Sequence, residues 1–210
     1  MFKIIPAQER HLAQLVKLVS YTNYDIATAQ YNILNLDKES YIMEYRIKPL
    51  LPFTVVVVED GNKNDVLGMA TFSTIEQLES CKHQSYSPPE IHELFKPYSM
   101  FQIPNSYYIS RMAVDQKWRR RGIGSILMQA IETKVRENGL FTVSLLCWSG
   151  QVSGIKFCID MGMSIKDTIK FNESLPHNIL LYFEKNLTCV TNMSDYFDTI
   201  ESHILKLIKV

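Results

Sequence analysis

The chain contains 210 residues, of which 46% are hydrophobic, and this length is enough for one domain with an ordinary buried core. Its 22 basic residues balance its 22 acidic residues, so no overall charge attracts nucleic acid or an anionic membrane surface. The four cysteines lack the CxxC or His-paired spacing of a zinc site. Their pattern also differs from a secreted disulfide framework, which favours a reducing, cytoplasmic setting.

Two further signals are missing from the sequence. The N-terminal residues contain no uninterrupted apolar stretch of the kind found in signal peptides. No window reaches the ~18 apolar residues that a membrane-spanning helix needs. We therefore expect a soluble protein with no membrane contact, no nucleic-acid partner and no metal.

The first part of the chain predicts a strand, two helices and a β-hairpin. Residues 2–5 form a short apolar run, and apolar residues within 12–19 recur with the spacing of one helix face. A second helix is expected over 40–48, where two prolines follow. Residues 53–59 are rich in β-branched side chains, and a turn rich in Asp, Gly and Asn separates them from a second strand, 66–73.

Residues 75–106 differ from this pattern and predict an inserted, partly helical segment. The segment contains prolines together with the acidic and histidine residues Glu76, Glu79, His83 and His92. Loops of this length inside a compact domain are usually functional or mobile. These side chains are therefore candidate functional groups, although each also fits a solvated surface position.

The second half of the chain predicts alternating strands and helices. The strands are expected at 107–114, 141–148, 165–171 and 179–184, and the helices at 123–135 and 154–161. Asn138 and Gly139 form a good C-terminal cap for the first of these helices, and Ile155, Cys158 and Ile159 form the inward face of the second. Strands adjoin helices throughout, so the predicted class is mixed α/β with much antiparallel pairing.

The tail, 188–210, carries Ile200, Ile204 and Ile208 at helical spacing and predicts an amphipathic helix. This helix either covers the core of its own chain or packs on a second subunit, which would make the protein a homodimer. We expect residues 1–187 to form one domain, with the tail helix appended to it.

The most informative segment runs from Arg111 to Ser125 and joins a strand to a helix through a loop rich in arginine and glycine. Gly122 and Gly124 remove the Cβ atoms that would keep a ligand away from the main chain. The first N–H groups of the helix lack intrahelical partners. Because the helix dipole and the arginines both favour a bound anion, the segment predicts a diphosphate site.

Two common nucleotide-binding loops are excluded by their spacing. A Walker A loop needs a Gly-Lys-Ser/Thr end and a Rossmann fingerprint needs G-x-G-x-x-G, and residues 119–125 contain neither. The diphosphate carrier is therefore expected to be neither ATP nor NAD. The alternative is that residues 117–121 form only a solvated basic corner or a patch for nucleic acid.

The segment resembles the GNAT family of N-acetyltransferases. The family signature is a strand that ends in an apolar-Val step, followed by Arg/Gln-x-x-Gly-x-Gly/Ala at the start of a helix; here it stands as MAV at 112–114 and RRRGIG at 119–124. A second block, 151–163, keeps the family spacing Asn-x-x-Ala-x-x-Phe-Tyr-x-x-x-Gly-Phe with several letters changed. The order of predicted elements also matches, from residue 2 to about residue 187.

The resemblance implies a mixed, mostly antiparallel sheet of six to seven strands, flanked by about four helices and splayed between the fourth and fifth strands. It also implies acetyl-CoA as co-substrate, with the pantetheine arm added as an extra strand beside residues 112–114 and the pyrophosphate on the amides of the loop. Arg119 and Arg121 are expected nearest to the phosphates. The residues implicated in binding acetyl-CoA are Met112, Ala113, Val114, Arg119, Arg120, Arg121, Gly122, Ile123, Gly124, Ser125 and Gln151.

The implied reaction is the direct attack of a neutral amine on the thioester carbonyl, which needs a proton acceptor, an oxyanion site and an acid for the leaving thiolate. The acid in the family is usually a tyrosine, and the matching position here is Cys158. A thiol has an ordinary pKa of ~8.5 against ~10 for tyrosine, so Cys158 is a candidate acid; it equally fits a buried core position. Ser110 and Arg111 stand where many members carry a glutamate, which leaves Glu76 and its neighbours in the inserted segment as candidate bases.

Two functions of different classes follow from the resemblance. The first is transfer of an acetyl group to a primary amine of a small molecule or a peptide, and the acidic residues of 75–106 favour a cationic acceptor. The second is a module of the same fold that binds acyl-CoA as a regulatory ligand without turnover. The missing glutamate and tyrosine weaken the first function without excluding it.

Overall fold

The computed structural model describes residues 1–20, 37–82, 106–170 and 179–187. The strands are β1 Phe2–Pro6, β2 Thr54–Glu59, β3 Asn62–Ser73, β4 Ser106–Val114, β5 Thr142–Trp148, β6 Ser164–Lys170 and β7 Ile179–Asn186. The α-helices are α1 Leu12–Ser20, α2 Lys38–Tyr41, α3 Ile75–Lys82, α4 Ile123–Glu137 and α5 Val152–Asp160. The predicted tail helix and most of the predicted insertion lie outside the described residues.

The seven strands form one sheet in the spatial order β1-β2-β3-β4-β5-β7-β6. Neighbours pair antiparallel except β4 and β5, which run parallel. The parallel register ends at Ile109↔Leu145, although β4 continues to Val114 and β5 to Trp148. The mixed, mostly antiparallel sheet and its splay between the fourth and fifth strands are therefore confirmed.

Different helices cover the two faces of the sheet. On the first face, α4 and α5 bury side chains such as Leu127 and Cys158 against the sheet, together with Phe183 of β7. On the second face, α1 buries Leu15 and its neighbours against Met69 of β3. Each fully buried aliphatic side chain contributes about 1.5–3 kcal/mol, so these two apolar layers hold the helices to the sheet.

The helix predicted over 40–48 is part of a longer helical stretch. α2 continues directly into a π-helical segment, Ile42–Ile47, and then into a 3-10 helix, Lys48–Phe53. Pro49 therefore lies in the first turn of a helix instead of stopping one. Proline is tolerated there because the N–H that it lacks has no helical partner.

The prediction that Ile159 faces inward is wrong, because this side chain is 55% exposed. Ile155 and Cys158 do contact the main core. Residue 159 is rotated by about 100° from residue 158 around a helix of 3.6 residues per turn, so it passes out of the buried stripe. Across the described ranges, no helix has the length and hydropathy of a membrane span.

Candidate functional site

The opening between β4 and β5 begins at an irregularity in β4. Along β3, Phe72 pairs with Ile109 but Thr71 pairs with Arg111, so Ser110 is an extra residue in β4. The Ser110 hydroxyl donates to the Thr71 carbonyl oxygen at 3.3 Å. A bulge bends its strand and increases the local twist, and here it coincides with the point where β4 leaves β5.

Two residues of β4 direct their main-chain groups into this opening. The Asp115 N–H donates to the Leu67 carbonyl of β3 at 2.9 Å. Because main-chain groups alternate in direction along a strand, Ala113 points its N–H and C=O toward β3, whereas Met112 and Val114 point theirs away from it. The open edge of β4 therefore offers the main chain of Met112 and Val114, and the main chain of Ala113 belongs to the sheet.

The chain then turns through a tight connection into α4. The Asp115 carboxylate accepts from the Lys117 N–H at 2.9 Å and begins a short 3-10 turn. Arg120 and Gly122 follow with positive φ angles of 63° and 82°. Turns with left-handed residues direct successive N–H groups toward one side, as in an anion-binding nest.

The first turn of α4 completes this nest. Gly122 is the N-cap residue and has no side chain to bond the helix N–H groups. The first helical hydrogen bond runs from the Ile126 N–H to the Gly122 carbonyl at 3.0 Å. The N–H groups of Ile123, Gly124 and Ser125 consequently have no carbonyl partner within the helix, and they fit a bound diphosphate.

The two glycines of the loop have different roles. A Cβ atom at Gly122 would meet no heavy atom within 4 Å, so this position needs glycine for its positive φ. A Cβ atom at Gly124 would lie 2.9 Å from Cε2 of Phe157 in α5. Gly124 is therefore small because a neighbouring helix occupies the space, and the clearance that the sequence predicts for a ligand at this position stays a prediction.

The arginines of the loop point in different directions. Arg119 donates from Nε to the Val114 carbonyl at 3.3 Å, which places its guanidinium at the open edge of β4. The guanidinium carbon of Arg121 lies 4.8 Å from the centre of the Trp118 ring. The Trp118 ring also meets Phe2 of β1 edge-on, with 6.0 Å between ring centres. Arg119 and Arg121 thus provide positive charge on two sides of the nest.

Cys158 lies in α5, and Gln151 directly precedes this helix. Cys158 is 4% exposed, and burial, reinforced by the neighbouring Cys147 thiol, raises the pKa of Cys158 to about 12. Gln151 precedes α5, and its Oε1 lies 3.6 Å from the Sγ of Cys147. Such a thiol stays protonated at neutral pH but is enclosed by apolar side chains, which favours the core interpretation of Cys158.

Glu76 lies in the exposed first turn of α3. Hydrogen bonds from its own backbone N–H and from the Thr74 hydroxyl hold the pKa of Glu76 below its ordinary value. Thr74 and Gln77 bond each other's main-chain N–H groups at 3.3 and 3.0 Å, as a capping box does. These local contacts give Glu76 a role at the helix start. The side chain of Glu79, and residues His83 and His92, lie outside the described part of the protein.

Sequence reasoning missed a polar row that crosses the sheet at the bottom of the opening. Register places one residue of each of five strands in this row, namely Ser73, Tyr108, Ser144, Glu184 and Ser164. The alternation of Leu180, Tyr182 and Glu184 along β7 is a signal that one face of this strand becomes polar.

Among the described residues, no group of three or more His, Cys, Asp or Glu side chains is arranged to bind a metal.

The splayed sheet and the glycine loop together define the class of protein, a mixed α/β fold with a nest of main-chain N–H groups at the start of α4. The acetyltransferase (GNAT) family model matches residues 21–163 of the sequence. This match covers more than half of the chain, and the chain belongs to the GNAT acetyltransferase family. No curated protein sequence gives a significant match.

Solved structures share the fold at low sequence identity. The ribosomal-protein-S18-alanine N-acetyltransferase from Escherichia coli is 9% identical, with a TM-score of 0.57 over 90% of this chain and 96% of that one. Ard1 from Thermoplasma volcanium is 17% identical, with a TM-score of 0.58 over 90% and 99%. The PaiA N-acetyltransferase from Thermoplasma acidophilum, solved with coenzyme A, is 14% identical, with a TM-score of 0.55 over 89% and 99%.

Proposed function

We propose that this protein is an acetyl-CoA-dependent N-acetyltransferase that transfers an acetyl group to a primary amine. One observation carries the proposal: the open edge of β4 leads directly into a nest of main-chain N–H groups at the start of α4. The open edge fits an extended chain with amide groups, and the nest fits a diphosphate. Coenzyme A contains both parts in this order.

The chain's own residues fit the co-substrate as follows. Met112 and Val114 would pair with the pantetheine amides, because their N–H and C=O groups point away from β3. The amides from Gly122 to Ser125 would hold the pyrophosphate, and Arg119 and Arg121 would add positive charge. When bound, acetyl-CoA supplies the thioester that the acceptor amine attacks.

The acceptor is proposed to be a small cationic amine or an amine of a peptide. The acidic residues of the predicted insertion favour a cation by charge complementarity. A structural neighbour named for its action on the alanine of a ribosomal protein makes a peptide N-terminus an equally suitable probe. We also propose that residues 1–187 are the catalytic domain and that the tail, 188–210, is a separate helix.

A second function, a non-catalytic module that binds acyl-CoA, has one observation in its favour. The family's tyrosine acid is replaced by Cys158, and this thiol is buried with a pKa of about 12. Thioester aminolysis nevertheless has a good leaving group, so positioning of the two substrates supplies much of the rate without a dedicated acid. For this reason the enzyme is the proposed function.

Release of free thiol from acetyl-CoA tests the proposal. The acceptors are spermidine, an aminoglycoside, a lysine-containing peptide and peptides with free N-termini, and uncharged and acidic amines serve as the comparison. We expect turnover with at least one cationic or peptide amine. Turnover with only uncharged or acidic amines would contradict the cationic acceptor, whereas tight acetyl-CoA binding without turnover on any amine would favour the module.

A further inference from the structure

The two faces of the sheet differ sharply at the bottom of the β4–β5 opening. On the face covered by α4 and α5, Ile109, Leu145 and Cys147 are buried in the main core beside Ile123 and Cys158. Among the described residues, these strands place no charged side chain on this face near the separation point, and the Tyr107 hydroxyl, two residues below Ile109, is buried in the core. If the thioester carbonyl lies in the opening, as the proposed function requires, the acceptor amine must reach it from the opposite face.

The opposite face carries the polar row. Tyr108, Ser144 and Glu184 are adjacent in register across β4, β5 and β7. This row lies one residue below Ile109↔Leu145, the last pair before the strands separate. A pantetheine arm that starts at the nest and runs along β4 toward the paired part of the strands would end near this polar row. A side chain of the row would therefore lie near the thioester.

One hydrogen bond in this region joins a buried donor to a carboxylate. Tyr182 is 4% exposed and pairs with Leu146, just above the separation point. Its hydroxyl donates to Glu184 Oε1 at 2.8 Å. A hydrogen bond to a carboxylate is short and strong, so it fixes the position of the tyrosine oxygen. The pair thus extends from the opening to the row below it.

We infer that Tyr182 and Glu184 form the proton relay of this enzyme, in which Tyr182 contacts the acceptor amine and Glu184 receives the proton. This inference rests on the proposed function and names a general base other than Glu76 and its neighbours, the candidates offered by the sequence. The relay involves none of the residues proposed to bind the diphosphate. Tyr182 is the catalytic residue, and Glu184 is a positioning residue that acts through it.

The relay balances as follows. The acceptor ammonium gives a proton to the Tyr182 oxygen while the Tyr182 hydroxyl proton passes to the Glu184 carboxylate. The lone pair of the neutral amine then forms the C–N bond to the thioester carbonyl carbon, and the C–S bond breaks with its electron pair on sulfur. The leaving thiolate takes the proton that the new amide nitrogen loses, and Glu184 later releases its proton to water.

A relay explains why the tyrosine need never ionise. Burial, followed by the hydrogen bond to Glu184, raises the pKa of Tyr182, so a free phenolate is disfavoured at neutral pH. In the concerted transfer Tyr182 loses one proton as it gains another. Among the described residues, the other titratable or charged groups on this face include Tyr108, Arg111 and, beside Tyr182 in register, Asp167 of β6. Tyr41 and Tyr45 of the helical stretch packed on this face also belong to them, and the Arg111 guanidinium donates to the Arg46 carbonyl at 2.7 Å.

Kinetics of matched tyrosine variants test the relay. Tyr182→Phe removes the hydroxyl, and we expect kcat at pH 7 to fall by about 100-fold or more, because general acid–base catalysis typically contributes about 10²–10⁴-fold. The deficit should shrink as pH rises toward the pKa of the acceptor amine, because more of the amine is then already neutral. The KM for acetyl-CoA should not change. Tyr107→Phe is the control, because Tyr107 is equally buried in the same sheet but faces α4.

Glu184 variants separate proton acceptance from structure. In Glu184→Gln the amide oxygen still accepts the hydrogen bond of Tyr182 but cannot hold the proton, so kcat should fall as in Tyr182→Phe. Glu184→Asp should recover part of the rate. Thermal unfolding and calorimetric binding of CoA establish that each variant is folded. A Tyr182→Phe or Glu184→Gln enzyme with the wild-type kcat at pH 7 would overturn the relay while leaving the acetyltransferase proposal in place.

Tyrosine NMR gives a readout that needs no turnover. In protein labelled at tyrosine Cζ and saturated with CoA, added spermidine or an N-terminal peptide should shift the Tyr182 signal and leave that of Tyr107 unchanged. Signals are assigned with the two phenylalanine variants. A shift confined to Tyr107 would place the amine on the face covered by α4 and would contradict the inference. Absence of turnover by the wild-type enzyme with every amine would overturn the proposed function and the relay with it.

Discussion

The ring of Phe157 occupies the space that a side chain at position 124 would need, since a Cβ atom there would lie 2.9 Å from Phe157 Cε2. This contact joins the start of α4, where the nest lies, to α5. The position of the nest relative to the sheet therefore depends on the packing of the two helices.

Gly124→Ala should destabilise the fold by about 1–3 kcal/mol, as overpacking of a closely packed contact does. Adding Phe157→Leu should recover part of this loss, because the smaller side chain makes room for the new methyl group. Gly122→Ala is the comparison. The new Cβ atom would have no heavy atom within 4 Å, but holding alanine in the left-handed conformation costs about 1–2 kcal/mol. Thermal unfolding of the three variants measures these effects. Full stability of Gly124→Ala would contradict the contact.

Amide hydrogen exchange should identify the open edge of β4 directly. Met112 and Val114 are expected to exchange faster than Ala113 in the free protein, because only Ala113 has its N–H within the β3–β4 ladder. Saturating acetyl-CoA should slow exchange at Met112 and Val114 and leave Ala113 unchanged. Protection at Ala113 alone would show that the co-substrate does not extend β4.

The nest and its flanking elements could be predicted from sequence because their signals are local. The apolar runs on either side of the loop give a strand and a helix, and the spacing of Arg119, Gly122 and Gly124 gives the turn between them. The structure adds that Arg120 is also left-handed, with φ of 63°. Arginine has no particular preference for that conformation, so the residue type at position 120 does not predict the left-handed turn.

The polar row could not be predicted because it depends on strand register. Tyr108 and Glu184 are separated by 76 positions in the chain and come together only through Ser144 of β5, which pairs with both. A shift of one residue in either strand would turn the side chains to the other face. The bulge at Ser110 adds a further offset within β4 that residue types alone do not indicate.

Neutralising the arginines of the nest should weaken acetyl-CoA binding. Arg119→Gln and Arg121→Gln are each expected to raise Kd by about 10- to 100-fold, because a hydrogen bond to a charged group contributes about 1.5–3 kcal/mol. The wild-type affinity should fall with added salt more steeply than that of either variant. Lys156→Gln on the exposed surface of α5 is the charge-matched control. Calorimetry that finds the same Kd for all three variants would remove the arginines from the site.

Cys158 is expected to be dispensable for turnover. If its burial reflects a core role, Cys158→Ala should keep the wild-type kcat while losing stability through the small cavity that remains. The native thiol should also react slowly with iodoacetamide, because a pKa of about 12 leaves little thiolate at neutral pH. A large fall in kcat with an unchanged fold would instead support Cys158 as the acid for the leaving thiolate.

The buried thiols of Cys147 and Cys158 should lower the stability of the protein at alkaline pH. Burial raises the pKa of Cys147 to about 11 and that of Cys158 to about 12, from ordinary values near 9. Well below pH 9 both thiols are protonated in the folded and unfolded states, and their contribution to stability is fully present. As pH rises from about 9 toward 12, the unfolded chain loses these protons first, so the free energy of unfolding falls by at most about 1.4 kcal/mol per pH unit for each thiol.

Urea unfolding between pH 8 and pH 10 measures this effect before most lysines and tyrosines ionise. The wild-type protein should lose stability over this range, and the Cys147→Ala/Cys158→Ala double variant should lose less, whatever its stability at pH 8. The comparison rests on the slope with pH because cavity formation shifts the whole curve of the variant. Equal slopes would mean that the thiols ionise as readily in the folded protein as in the unfolded chain, which is incompatible with the burial of Cys147 and Cys158 in the core.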